Sequence, residues 1–406
     1  SILFGISNIF SSILHYFNRF LVYSIAPVLY NLGIIFGIIF LAPRYGIFGV
    51  GIGVIIGAFA HLAIQIPSAI GCGFKYKPVF NIRHPSLREV IRLMIPRSFA
   101  VGVQQINLIV ITSIASTLFA GSIAIFNFSN NLQYIPVGIF GISFAVASFP
   151  KLSKAWARGA KEEFISNFSS VFRQIIFLVI PASVLIFLLR TQLVRVVLGS
   201  LGPGKFDWQD TVLTSTSLGI FSVGIFASAL IPLICRGFFS FKDTKTPTLI
   251  AVVSVGLNIF LIFYLTSILE NPGFFYNLIV RIFDLNGLAN ISVLGLPLAF
   301  TKAVVFQFIL LVVFFNKKVG GFNVKEITYS LWRILVAVFL MFISVYLTLL
   351  LTGQILDIKT FIGIFTQGVI SGVVGIVVYL LATIILKLPE IETIKLAILK
   401  QFSKGQ

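Results

Sequence analysis

Eleven long apolar runs, joined by connectors in which basic residues are by turns crowded and sparse, leave this chain few folds to choose from. The runs cover residues 1–16, 23–42, 46–70, 94–118, 122–149, 171–189, 211–234, 247–269, 293–315, 331–351 and 361–386. Crossing a hydrocarbon layer of roughly 30 Å takes about 20 helical residues, and most of the runs are that long. Lipid offers a backbone no hydrogen-bond partners, so runs of this kind must be helices. The expectation is an all-α integral membrane protein, a polytopic bundle of about 11 transmembrane helices.

The charges give that bundle an orientation. Of 30 lysines and arginines, twenty-three lie at Arg19, 75–97, 151–173, 236–245, 317–333 and 387–404, in every second connector and at the end of the chain. The other connectors hold six, and Lys302 alone sits inside a run. An excess of this size puts the first set, and the C-terminus, in the cytoplasm. The formal net charge of +18 is therefore a topology signal. With 10% charged and 58% hydrophobic residues there is no soluble basic face for nucleic acid.

Eleven spans that end inside place residue 1 outside, and 1–16 lacks the basic n-region and cleavage site of a signal peptide. A chain starting in the cytoplasm would need an odd number of further spans upstream, so this one reads as a fragment. Cys72 and Cys235 have no partner spacing, and His15, His61 and His84 are scattered. Nucleotide, nucleophile-elbow and metal motifs are absent from the sequence, and nearly all of the 12 carboxylates sit in connectors. Neither an enzyme nor a cofactor or metal site is expected.

Two connectors carry further expectations. In 71–93, Ser86 with Glu89 makes a capping box for an amphipathic surface helix over 86–93, ahead of the next span. The tail 388–406, with Ile391, Ile394, Lys395, Ile398 and Lys404, suits a basic helix lying on anionic lipid. The outer loops 191–210 and 270–290 are long enough for short helices, and equally suit irregular chain.

Polar residues inside the spans are the informative ones, because each is costly unless it faces protein or water. Asn127, Asn130, Asn131 and Tyr134 fall at i, i+3, i+4 and i+7, on one helical face, with Gln133 beside them and Pro136, Gly138 and Gly141 just beyond. Such a face suits either the wall of an aqueous cavity or the glue between packed helices. In the preceding run Arg97, Gln104 and Asn107 share a face, with Gln105 alongside. Arg97 suits snorkelling to headgroups as well as a bidentate grip on phosphate. Lys302 reads as a cavity charge, an internal counter-ion or a side chain reaching the interface. Asn31, His61, Gln65 and Asn258 read as packed singles.

Three stretches go beyond pattern. Residues 132–153, LQYIPVGIFGISFAVASFPKLS, resemble the corresponding segment of the MurJ lipid II flippases, a branch of the multidrug/oligosaccharidyl-lipid/polysaccharide exporter superfamily. So do 236–247, RGFFSFKDTKTP, followed by a span with Asn258, and the early stretch Asn18-Arg19-Phe20 through Ala26-Pro27 to Asn31. The resemblance covers essentially the whole chain. It implies a two-lobed fold of fourteen transmembrane helices, of which these would be the fourth to fourteenth. Residues 1–189 would complete the first lobe and open the second, 190–316 would continue the second, and 317–387 would add two helices lining a lipid-tail groove. In those last helices Gly363, Gly368, Gly372 and Gly375 would permit close approach, and 388–406 would be the cytoplasmic tail.

The implied activity is flipping of lipid II, a pyrophosphate-linked oligosaccharide on a prenyl lipid, across the bacterial inner membrane by alternating access. Membrane lipids and cell-wall synthesis proteins would be its partners. Substrate contacts would come from Arg97, Gln104, Asn107, Asn127, Asn130, Asn131, Gln133 and Lys302. In the 236–247 turn Arg236, Asp243, Thr244, Lys245 and Pro247 would be structural, with Asp243 and Thr244 capping the next span. The chain departs from the family where relatives carry an arginine beside an acidic residue, since Asn130 and Asn131 stand there. Its span 247–269 also lacks the acidic residue some relatives have. A sister exporter of another cargo, a membrane-embedded lipid enzyme and a transport-dead cell-wall scaffold are the alternative functions.

Overall fold

The computed structural model describes residues 2–17, 19–74, 85–199, 208–321, 324–357 and 360–391, without certain side chains, those of Arg97 and Gln104 among them. Every regular element among the described residues is helical. Eight helices are long and apolar enough to cross a membrane, or nine if one bent pair counts as a single span. The described apolar stretches 2–14 and 105–118 are shorter. Each of the eleven apolar runs coincides with a helix or a helix pair. By Cα proximity the chain divides into two compact units, Ser1–Arg88 and Glu89–Gln406.

The first unit holds α1 (Ile2–Tyr16), α2 (Phe20–Phe36), α3 (Ala42–Tyr45), α4 (Ile47–Ala63) and α5 (Gln65–Gly71), with a π-helical turn, Gly37–Leu41, joining α2 to α3. Helices α2 and α4 meet backbone to backbone. A Cβ built on Gly33 would come within 2.3 Å of the Gly57 Cα, and one on Gly37 within 2.6 Å of the Gly53 Cα. Small residues at four-residue spacing allow this approach, which substitutes for a hydrophobic drive that lipid does not supply.

The unit boundary falls in the first turns of α6 (Pro85–Leu118). A separate surface helix over 86–93 was expected, but the helix runs unbroken through Pro96 into the span. Helices in membranes tolerate such a proline where neighbouring groups or local adjustment re-satisfy the carbonyl it leaves free. Beyond it come α7 (Ser122–Pro136), a π-helical turn (Val137–Ile142) and α8 (Ser143–Ala157). Pro136 has no N–H to give, and the ladder re-registers through the wider turn. There Ser143 Oγ donates to the Gly138 carbonyl at 3.1 Å.

The remaining helices are α9 (Lys161–Leu188), α10 (Arg190–Leu198), α11 (Trp208–Ser222), α12 (Ile225–Ser240), α13 (Lys245–Glu270), α14 (Phe274–Phe283), α15 (Gly295–Val319), α16 (Val324–Ile355) and α17 (Phe361–Ile385). Short helices thus occupy the described parts of the loops 191–210 and 270–290, as α10 and α14. The run 211–234 is a bent pair, α11 and α12 meeting at 45°. Its Ile220 carbonyl accepts the Thr301 hydroxyl at 3.3 Å. Helix α11 is buried on nearly every side. At the end carrying the basic connectors, Trp156 packs against Phe164 and Phe241, and Phe168, Phe238 and Phe241 pack against Phe315, fastening α8, α9, α12 and α15. The connector around Pro78 and the tail positions Ile394, Lys395, Ile398 and Lys404 lie outside the described residues.

Candidate functional site

A cavity of about 530 Å³ opens inside the second unit, walled by α6, α7, α12, α13 and α15. Helix α6 contributes Gln105, Asn107, Leu108 and Ile111, and α7 contributes Phe126, Asn130, Gln133 and Tyr134. Ser228, Ile231 and Pro232 close it from α12, Ser254 and Asn258 from α13, and Phe300, Val304 and Gln307 from α15. Its described lining is amide, hydroxyl and apolar, with no charged residue.

Hydrogen bonds set the amides in place. Gln133 Nε2 donates to Asn130 Oδ1 at 3.0 Å, one turn back on α7. Across the cavity wall Asn258 Nδ2 donates to Asn107 Oδ1 at 2.7 Å, tying α13 to α6. Gln133 and Asn258 are each only 2% exposed. Gln133 Oε1 and Asn258 Oδ1 have no partner among the described residues. A buried acceptor left in this state costs roughly 1–3 kcal/mol, so the wall holds a standing demand for hydrogen-bond donors.

The structure gathers part of the expected residue set. Asn107, Asn130 and Gln133 line the cavity together with Gln105 and Tyr134. Asn127 and Asn131 do not. The cavity-facing arc of α7 is Phe126, Asn130, Gln133 and Tyr134, at i, i+4, i+7 and i+8, continued by Val137 of the π turn, and is rotated from the stripe read off the asparagines toward Gln133. Packing sets that rotation, because Ile125, Ser129 and Pro136 are buried while Asn131 is exposed. Lys302 is also absent from the lining. It is exposed, its ammonium 5.6 Å from the centre of the Phe275 ring on α14, as a side chain reaching for the interface would be. Arg97 and Gln104 lie on α6, their side chains outside those described.

Six polar lining residues were not expected as substrate contacts: Gln105 and Tyr134, read only as lying on or beside the polar faces, Asn258, read as packed, and Ser228, Ser254 and Gln307. For Ser254 and Asn258 the signal was available, since they stand at i and i+4 in the run 247–269. Gln307 and Ser228 are lone polar positions, which spacing cannot assign.

The 236–247 turn is built as a joint. Asp243 Oδ1 accepts the Thr246 backbone N–H at 3.1 Å and Oδ2 accepts the Thr246 hydroxyl at 2.8 Å, while Lys318 of α15 forms an ion pair with the same carboxylate. Burial alone would push this carboxyl up. The Lys318 bond and the two Thr246 bonds outweigh it and hold the group below the usual carboxylate range. Thr244 was expected to cap as well, but it already has helical φ and ψ, and its side chain makes no cap bond. Lys245 opens α13 and Pro247 sits in its first turn, where a missing N–H is harmless. Arg236 reaches back along α12 to the Pro232 carbonyl at 3.4 Å. Pro136 and Gly138 flank the π turn, and Gly141 presses on α12: a Cβ there would lie 2.6 Å from the Ala229 carbonyl oxygen.

Beside the cavity, on the other face of α12, runs an apolar groove of about 710 Å³. Phe172, Ile176, Ile180 and Phe187 of α9 line it with Phe226 and Leu230 of α12, Phe308 of α15, and Leu331, Leu335 and Phe342 of α16. Helix α17 does not contribute. Gly368 and Gly372 meet Gln192 and Leu189, and Gly375 meets Val345 and Leu185, so these glycines bring α17 against protein. Gly363 closes the Thr360 cap at the start of α17.

The sequence pattern of one protein family, described as Lipid II flippase MurJ, matches residues 1–366. The chain belongs to the MurJ family. It is therefore a multi-pass membrane protein of that family. It is 28% identical over 258 residues to the Lipid II flippase MurJ of Burkholderia cenocepacia, covering 61% of this chain and 49% of that one. It is 31% identical over 252 residues to the Probable lipid II flippase MurJ of Vibrio cholerae, covering 62% and 47%. The chain thus spans about half the length of these two MurJ relatives. The Borreliella burgdorferi relative matches over 359 residues at 27% identity, covering 84% of this chain and 70% of that protein. A solved structure, Lipid II flippase MurJ in an inward closed conformation, shares the fold with a TM-score of 0.69 at 24% identity, over 95% of this chain and 71% of that one.

Proposed function

We propose that this chain moves lipid II between membrane leaflets by alternating access, in the bacterial inner membrane, with the basic connectors and the C-terminus in the cytoplasm. The observation that carries the reading is the pairing of an amide-walled cavity with an apolar groove on opposite faces of α12. A lipid-linked oligosaccharide has the matching halves. Its sugars and peptide present hydroxyls and amides to the partly exposed Asn107 and Asn130, which the buried Gln133 and Asn258 hold in place. Its prenyl tail stays in lipid or in the groove, because taking each CH₂ through a polar cavity costs about 0.8 kcal/mol.

A neutral lining suits a carrier that must release its cargo, since the cargo's hydrogen bonds replace bonds to water at modest net gain. Attraction of the pyrophosphate falls to Arg97, ten residues before Asn107 on α6 and so about 15 Å along the helix axis. Membrane lipids surround the bundle, and cell-wall synthesis proteins are the partners such an activity serves. The test is rescue: in bacteria depleted of their own flippase, the gene encoding this chain restores lipid II in the outer leaflet. Correct insertion without restoration would assign another cargo.

A further inference from the structure

The connector between α13 and α15 carries a helix, α14, with a different chemistry in each direction. Taking Phe274 as zero, Ile279, Phe283 and Tyr276 lie at about 140°, 180° and 200° round its axis, at about 100° per residue. These side chains pack on the apolar core shared by α11, α13 and α15. Opposite them Phe274 and Arg281 point outward, at about 0° and −20°. The two flanks differ. Ile282 and Phe275, at about 80° and 100°, make one of them apolar, with the exposed Leu278 beside them at about 40°. Asn277, at about −60°, and Asp284, which ends the helix at about −80°, make the other polar.

The apolar flank is on the side of the spans. Helices α13 and α15 are both long and apolar enough to cross a membrane. Residues 271–273 alone separate α13 from α14, and three residues reach at most about 11 Å. Helix α14 therefore stays close to the span ends. The Phe275 ring centre lies 5.6 Å from the ammonium of Lys302. Lys302 stands well after Gly295, the first residue of α15, and so about 10 Å along that helix from its start. The edge shared by Phe275 and Ile282 is thus the one nearest the hydrocarbon. Asn277 and Asp284 lie across the axis from it, where Asp284 accepts the Asn286 amide at 3.0 Å.

We propose that α14 is a lipid-binding surface that lies along the headgroup layer of a phospholipid leaflet. Ile282 and Leu278 enter the acyl boundary, Arg281 is level with the phosphates, and Asn277 stays in water. An interfacial helix needs an apolar edge, a polar edge and a cation near the phosphates, and α14 has each on the side its place in the chain demands. Arg281 is the one charged residue within α14, and the exposed Lys302 adds a second cation at the same rim. Left to water, Phe274, Leu278 and Ile282 would form an apolar stripe at i, i+4 and i+8, accessible to 86%, 39% and 60%. Lipid covers that stripe and fixes the depth of the two span ends that the connector joins.

Spin labels read the depth of each edge. Asn277→Cys, Leu278→Cys, Arg281→Cys and Ile282→Cys are made singly in the full chain, with Cys72 and Cys235 replaced by alanine, and labelled in nanodiscs of phosphatidylethanolamine and phosphatidylglycerol. All four positions are exposed, so the labels leave the packed face of α14 intact. Oxygen concentrates among acyl chains and a nickel chelate in water, and the ratio of their collision rates with the label reports depth. A label at Ile309, exposed on α15 within its span, sets the lipid value. The ratio should be near that value at 282 and 278, lower at 281 and lowest at 277, with a severalfold difference between 282 and 277. Equal ratios at 282 and 277, the reverse order, or exclusion of both reagents at 278 and 282, as a covering protein would cause, would each overturn the proposal.

Discussion

Gly141 shows how a single absent methyl shapes the cavity wall. Its Cα lies so near Ala229 that any side chain would meet backbone, which cannot swing aside as the end of a long side chain can. Gly141→Ala should therefore lower stability by about 1–3 kcal/mol. Gly138→Ala, with nothing within 4 Å of the added carbon, should be nearly neutral. Thermal midpoints of the two variants in one detergent make the comparison. Asp243 gives a second prediction. A carboxylate held below its ordinary range contributes stability that is full above the unfolded value of about 3.9 and is lost as pH falls through the lower folded value. Asp243→Ala should cost about 1 kcal/mol near neutral pH, the worth of a helix cap, and the difference should narrow as pH falls below about 4. Unfolding of both proteins along a pH series checks the sign.

Among the elements, the helices and their order were legible in the sequence, because a run of apolar residues in lipid has one backbone solution. What escaped were departures from the α ladder. The 45° break between α11 and α12 and the π turn before α3 change no residue's polarity, so hydropathy passes over them, whereas Pro136, Gly138 and Gly141 marked the irregularity after α7. The facing of α7 was only half legible: its asparagines mark a polar sector, but Ile125, Ser129 and Pro136 decide which edge of that sector meets the cavity. The Asn107–Asn258 bond was missed because a lone asparagine in a span carries no mark of its partner. That bond sets an element-scale prediction. Replacing Asn107 and Asn258 with leucine, singly and together, should give a coupling energy of about 0.6–2 kcal/mol, the range for hydrogen bonds between helices in membranes. A double-mutant cycle on unfolding midpoints that returned zero would remove the bond from the account.

For the whole molecule, the claim is that a wet, neutral chamber in the second unit receives the headgroup of a lipid substrate while the groove across α12 stays apolar. Burying polar side chains in a bundle like this costs stability unless water or cargo meets them. The chamber's amides are then a feature of transport and not of folding alone. The most direct measurement is cysteine accessibility in a background with Cys72 and Cys235 replaced by alanine. Single cysteines at Asn130 and Gln307, both on the cavity wall, should react with a water-soluble, membrane-impermeant thiol reagent, and added lipid II should slow that reaction. A cysteine at Ile309, exposed on the outer side of the same helix as Gln307, should stay unreactive with or without lipid II. Silence at positions 130 and 307, or reaction there that lipid II leaves unchanged, would contradict the account.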